Sequence, residues 1–172
     1  MSVSKKDKEL YLYRIGLACK IARQKGAIFN EAVVTAQGAL ESCWGLSELA
    51  KKGNNLFGIK AGKSWSGDTI EFPTREWSGE KGWYWTTAKW RKYLSWNLCI
   101  VDYSKLIASL PWFEKALDHA DDAERFLKEL LPGPPSKEWP KGKPGWATDP
   151  MYACKLKLIA LEIEDLGGVR WG

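Results

Sequence analysis

Glu41 is the residue whose type and placement most directly suggest chemistry. In the run Ala36-Gln-Gly-Ala-Leu-Glu-Ser-Cys-Trp-Gly45, a helical period places Ala32, Val33, Ala36, Leu40 and Cys43 on one face, the expected core side. Glu41 falls about 140° from the centre of that face, beside Val34, Gln37 and Gly38 and apart from the polar side with Glu31, Thr35 and Ser42. A carboxyl against a partly apolar wall, here Val34 and Trp44, holds its proton nearer neutral pH and can pass it to a leaving-group oxygen. Gly38 lies one turn earlier, and glycine inside a helix costs about 1 kcal/mol against alanine. Close approach of a ligand or close helix packing would offset that cost. The plain alternative for Glu41 is a solvated surface glutamate.

Other reactive residues are few. A single histidine, His119, excludes zinc motifs built on two histidines. Cys19, Cys43, Cys99 and Cys154 form no CxxC pair and are expected to be four buried free thiols in a reducing compartment. Neither a metal nor a cofactor is expected. A Cys43–His119 nucleophile pair is permitted by composition, but Cys43 falls on the apolar face, about 200° around the helix from Glu41.

The elements that must position Glu41 come from a chain of 172 residues, long enough for one domain with its own core. An apolar helical pattern runs from Lys6 to Lys25, with Leu10, Leu17 and Ile21 in line and Tyr11, Ile15, Ala18 and Ala22 widening the stripe. Asn30 caps a second helix that runs to about Trp44, and Ser47 to Lys52 makes a short third. Between about 56 and 94 the period changes. Asp68–Phe72 and Gly82–Ala88 read as strands of a hairpin around the turn Ser78–Gly82. Helices resume from Ser95 to Leu110 and from about Asp121 to Leu131. Residues 131–148 are a stiff loop with five prolines and three glycines, and Asp149-Pro150 reads as the start of a last helix ending at Leu166. The expected fold class is mainly α (α+β), a helical lobe over residues 1–172 with a small inserted β-lobe and a cleft between them.

The wording of the chain from Ala39 to Lys60, Ala-Leu-Glu-Ser-Cys-Trp-Gly-Leu-Ser-Glu-Leu-Ala-Lys-Lys-Gly-Asn-Asn-Leu-Phe-Gly-Ile-Lys, resembles the signature of the peptidoglycan-cleaving β-N-acetylglucosaminidases of glycoside hydrolase family 73. The resemblance continues through Pro73–Glu76, Lys89–Tyr93, Asp102-Tyr103 and Gly145–Ala153, in the family's order. It implies a lysozyme-like fold, bacterial peptidoglycan as the substrate, and Glu41 as general acid. A second carboxylate across the cleft is usual for glycosidases. The family's Thr-x-Glu pattern falls on Thr74-Arg75-Glu76, which favours Glu76. Glu71 and a substrate-assisted route through the 2-acetamido group remain alternatives, and Glu80 lies in the turn. Asn54, Asn55 and Phe57 match the family's cleft-floor loop; the two amides would bind N-acetyl groups or hold their own turn. Tyr152 would line the cleft. Asp149 matches a family position, and helix capping accounts for it. Trp146 stands where the family usually has tyrosine, and an indole offers only an N–H donor.

Eleven tryptophans are the compositional anomaly, six of them between residues 65 and 96. Indole planes stack on the C–H faces of sugars, and Trp44, Trp65 and Trp77 are the favoured candidates, with Trp83 and Trp85 sharing one strand face. The extended loop 131–148, with Trp139 and three lysines, is expected to act as a lid. The net charge of +5 suits an anionic wall. No nucleic-acid signature accompanies the aromatics, and no apolar run reaches the roughly 18 residues of a membrane span. A muramidase or lytic transglycosylase on a similar fold is the first rival. A Cys–His wall amidase and a non-catalytic wall-binding module follow. The polar start, Met1–Leu10, does not read as a secretory leader, so none is expected. The expected setting is a monomer made in the cytoplasm, released by a phage pore as an endolysin or by specialised secretion as an effector with an immunity protein.

Overall fold

A computed structural model describes residues 2–78, 82–138 and 140–172, and of residues 75–78 and 83 it describes the backbone alone. Glu80, Trp139 and the side chains of Glu76, Trp77 and Trp83 therefore lie outside the described residues.

The helical lobe is assembled from capped helices. In α1 (Lys5–Gln24) Ser4 accepts from the Asp7 amide. In α2 (Glu31–Ser42) Asn30 accepts from the Val33 amide and donates to the carbonyl of Ala120, so one side chain both caps the helix and ties it to a distant turn. Ser47 caps α3 (Glu48–Gly53). Next come α4 (Trp96–Ser109), a 3-10 segment (Glu114–His119), α5 (Ala123–Leu130), capped by Asp122, and α6 (Tyr152–Asp165). The last helix begins later than expected. Asp149 accepts from the Met151 amide within the turn that precedes it.

Two expectations about helix faces are corrected. The core side of α1 is Tyr11, Ile15, Ala18, Cys19 and Ala22, while Leu10 and Leu17 are exposed. The second helix has no solvated polar side: Thr35, Gln37, Gly38 and Ser42 are buried with the apolar residues, because α1, α5 and α6 all pack against α2. The thiols divide as well. Cys19 and Cys99 are buried, whereas Cys43 and Cys154 are exposed. Cys43 is not in the core because it ends α2 in the left-handed conformation (φ 52°), followed by Trp44 (φ 57°) and Gly45 (φ 77°). This reversal turns the chain away immediately after Ser42, one residue beyond Glu41. The buried Ser42 hydroxyl supports it by accepting from the Gly45 amide and donating to the Gly38 carbonyl.

The β-lobe is an antiparallel hairpin of β1 (Thr69–Ser78) and β2 (Gly82–Arg91), longer at the far end of β1 than expected. Its base is fastened to the helices. The Arg91 guanidinium and the Tyr93 hydroxyl both meet Asp102 Oδ2 on α4 at 2.7 Å. Asn55, fully buried, donates to the carbonyls of Ile59 and Arg91 and accepts from the Ile59 amide. Lys60 bridges to Trp90, so residues 59–61 run beside β2. Among the described residues no helix is long and apolar enough to cross a membrane.

Candidate active site

A groove of about 900 Å³ lies where the lobes meet. Its floor and one end come from α2 and α6 through Glu41, Tyr152 and Lys155. The base of the hairpin contributes Lys60, Trp90 and Arg91, and the third side is apolar, with Leu106, Leu110, Trp112, Phe113 and Trp146.

Glu41 keeps an accessible face toward this groove. Protein atoms along its other sides displace water, and that desolvation holds its carboxyl pKa above the ordinary value; the Tyr152 hydrogen bond opposes the shift without cancelling it. The Tyr152 hydroxyl donates to Glu41 Oε1 at 3.0 Å and accepts from Gln37 Nε2 at 3.1 Å. Gln37 in turn accepts, through Oε1, from the buried Tyr103 hydroxyl. The Tyr103 ring is clamped between Phe57 and Trp146, with centroids 4.6 and 4.9 Å away. A continuous buried chain of hydrogen bonds thus leads from α4 through α2 and α6 to the carboxyl.

Asp149 is the other carboxylate that lines the groove among the described residues. The Lys155 ammonium, 2.5 Å away, and the Met151 amide hold its pKa below the usual carboxylate range, the opposite direction to Glu41. Glu71 pairs with Lys89 across the hairpin at 3.6 Å. The backbone of Glu76 pairs with that of Tyr84. At strand rise this is roughly 20 Å along β1 from Ile70, whose partner Trp90 lines the groove. Among the described residues no group of three or more His, Cys, Asp or Glu side chains is placed to hold a metal ion.

Of the sequence-derived candidates, the structure brings Glu41, Phe57, Trp146 and Tyr152 to the groove. Trp44 is instead buried edge-on against Tyr11, with the Lys8 ammonium over its ring. Trp65 packs against Tyr93 under the Arg91 guanidinium and donates to the Asp68 carbonyl. Asn54 ends α3 with φ 50° and donates to the Tyr93 carbonyl, and Asn55 spends its whole amide on backbone, so both hold the loop and neither lines the groove. The loop contributes Pro144–Asp149 to the groove, whereas Lys143 pins it from behind by donating to the carbonyls of Glu129 and Trp112. Neither Cys43 nor His119 lines the groove. Sequence reasoning missed Gln37, Tyr103, Trp90, Trp112 and Phe113. Gln37 carried a readable signal as a polar residue one turn before Glu41, and Trp90 and Tyr103 lie within runs that resemble the family without a role being read for them.

Gly38 proves to serve packing. A Cβ there would overlap the Tyr11 hydroxyl, which is engaged in donating to the Thr35 carbonyl, and would lie 3.6 Å from Phe57.

The family model described as glucosaminidase, mannosyl-glycoprotein endo-β-N-acetylglucosaminidase, matches residues 17–165. The peptidoglycan hydrolase FlgJ of Vibrio cholerae is 32% identical over 157 residues, covering 87% of this chain and 41% of that protein. The exo-glucosaminidase LytG of Bacillus subtilis is 35% identical over 130 residues, covering 74% of this chain and 42% of LytG. The chain thus spans less than half the length of these curated relatives. The catalytic domain of the Listeria monocytogenes autolysin Auto superposes with a TM-score of 0.73 at 27% identity, covering 97% of this chain and 88% of that one. With the match running from within α1 to the end of α6, the chain belongs to the glucosaminidase family.

Proposed function

We propose that this chain hydrolyses peptidoglycan at the β-1,4 bond between N-acetylglucosamine and N-acetylmuramic acid, with Glu41 as general acid. The observation that carries this reading is a carboxyl open to a sugar-sized groove, biased by desolvation toward its protonated form and oriented by Tyr152. The names of the relatives, peptidoglycan hydrolase and exo-glucosaminidase, supply the substrate class.

Tyr152 already donates to Oε1, so the acid proton belongs on Oε2. From there it passes to the glycosidic oxygen as the bond from C1 to that oxygen breaks. Positive charge develops at C1, and a second group on the opposite face must either attack C1 or activate the water that does. We assign that role to Glu76, with the hairpin closing over the bound glycan to bring β1 toward α2. Glu71 and the acetamido oxygen of the sugar are the competing candidates. Trp146 and Phe57 line the wall on which a pyranose ring would stack. Water bonds through its oxygen to C1, displacing any group held there, and its proton goes to the second carboxylate or to the deprotonated Glu41; the site of action is the cell wall.

Mass spectrometry of digested peptidoglycan tests the reading. New reducing ends at N-acetylglucosamine support it. Reducing N-acetylmuramic acid would assign a muramidase, and anhydro ends a lytic transglycosylase.

A further inference from the structure

We propose that Gln37 and Tyr103 are positioning residues that dictate which oxygen of Glu41 carries the acid proton. The inference rests on the reading of Glu41 as general acid and concerns two residues that do not touch the substrate groove's reacting centre.

The direction of every link in the chain follows from donor and acceptor chemistry. A glutamine amide accepts only through oxygen and donates only through nitrogen. Tyr103 is fully buried, and among the described residues its hydroxyl hydrogen has one acceptor, Gln37 Oε1. Turning the amide over would leave that buried O–H without an acceptor, and an orphaned buried donor is costly. The amide is therefore held with Nε2 toward Tyr152. Because Tyr152 receives a hydrogen there, its own hydrogen is directed to Glu41 Oε1. A protonated Glu41 must then carry its proton on Oε2, the oxygen left for the leaving group. With the amide reversed, Tyr152 would donate to Gln37 and accept from Glu41, drawing the acid proton into the protein.

Tyr103→Phe removes the anchoring hydroxyl while keeping the ring between Phe57 and Trp146. In this variant kcat should fall roughly tenfold with KM nearly unchanged. The basic limb of the kcat profile should also move to higher pH, because Tyr152 then bonds to the neutral carboxyl. The other charged groups facing the groove are Lys60 and Arg91 on the hairpin side and Asp149 and Lys155 beside α6, and this variant leaves all four in place. A role confined to packing would lower the melting temperature and leave the profile of the folded enzyme where it is. A Tyr103→Phe profile superimposable on wild type in rate and pH therefore overturns the proposal. Should that variant not fold, Gln37→Met removes the donor to Tyr152 and is read by kcat alone: a fall at nearly unchanged KM supports the proposal, and a wild-type kcat overturns it. Glu41→Gln in the same assay keeps the two readings apart: activity in that variant removes the general-acid assignment itself, whereas its silence beside an unshifted Tyr103→Phe removes only the relay.

Discussion

Tyr152 and Glu41, 111 residues apart in the chain, meet through a 3.0 Å hydrogen bond in which the phenol donates to Oε1. The contact joins the first turn of α6 to the last turn of α2, so the geometry of the acid depends on how these helices dock. Tyr152→Phe should lower kcat about tenfold or more, since the carboxyl loses the group that orients it. The lost hydrogen bond had favoured the carboxylate, so the Glu41 pKa rises and the basic limb of the rate profile moves up in pH. A rate-versus-pH series checks both.

Glu41 also ties stability to pH. Its folded pKa is raised by desolvation, so the folded state binds more protons than the unfolded chain between the two values. Its contribution is fully present below the ordinary glutamate value and is lost as pH rises through the folded value. Glu41→Gln should therefore melt at a higher temperature than wild type at neutral pH. The gap should shrink on acidification toward pH 4.5, the unperturbed value. Melting curves across pH 4 to 8 read this directly.

Gly38→Ala should destabilise the fold by roughly 1–3 kcal/mol through overpacking against the Tyr11 hydroxyl. Combining it with Tyr11→Phe removes the overlapping oxygen, so the double variant should lose less than the sum of the two single losses. Denaturant unfolding of the four proteins measures that coupling. Additive losses would point away from packing as the reason for glycine.

Asn55→Ala removes three hydrogen bonds to buried backbone at the base of the hairpin and should cost roughly 2–4 kcal/mol. Its KM for peptidoglycan should stay near wild type once folded protein is counted, as befits a loop-holding residue. A large rise in KM at unchanged stability would give the amide back to substrate binding.

Much of the fold was readable because the helices of this chain carry their own punctuation. Asn30, Ser47 and Ser95 stand at the expected starts, and the alternation around Thr69 and Tyr84 announces the hairpin. What periodicity did not reveal is the environment of α2. A helix enclosed by α1, α5 and α6 buries its polar residues as completely as its apolar ones, so Gln37 looked like a neighbour of Glu41 and not like part of its support. Tyr103, Trp112 and Phe113 reach the site from α4 and the turn beyond it, and no local spacing shows which distant ring will close a groove. Trp44 and Trp65 were misread for a related reason. An indole suits a sugar face and a core equally well, and the left-handed turn at 43–45 sends Trp44 inward onto Tyr11.

In the proposed mechanism Glu41 donates the proton that lets the sugar–sugar bond break. The direct measurement is the rate at which purified peptidoglycan gains reducing ends with wild-type protein and with Glu41→Gln, both verified as folded. The variant should lose at least about a thousandfold in rate, since an amide fills the same space without an acid proton. Reducing ends released by the glutamine variant at the wild-type rate would contradict it.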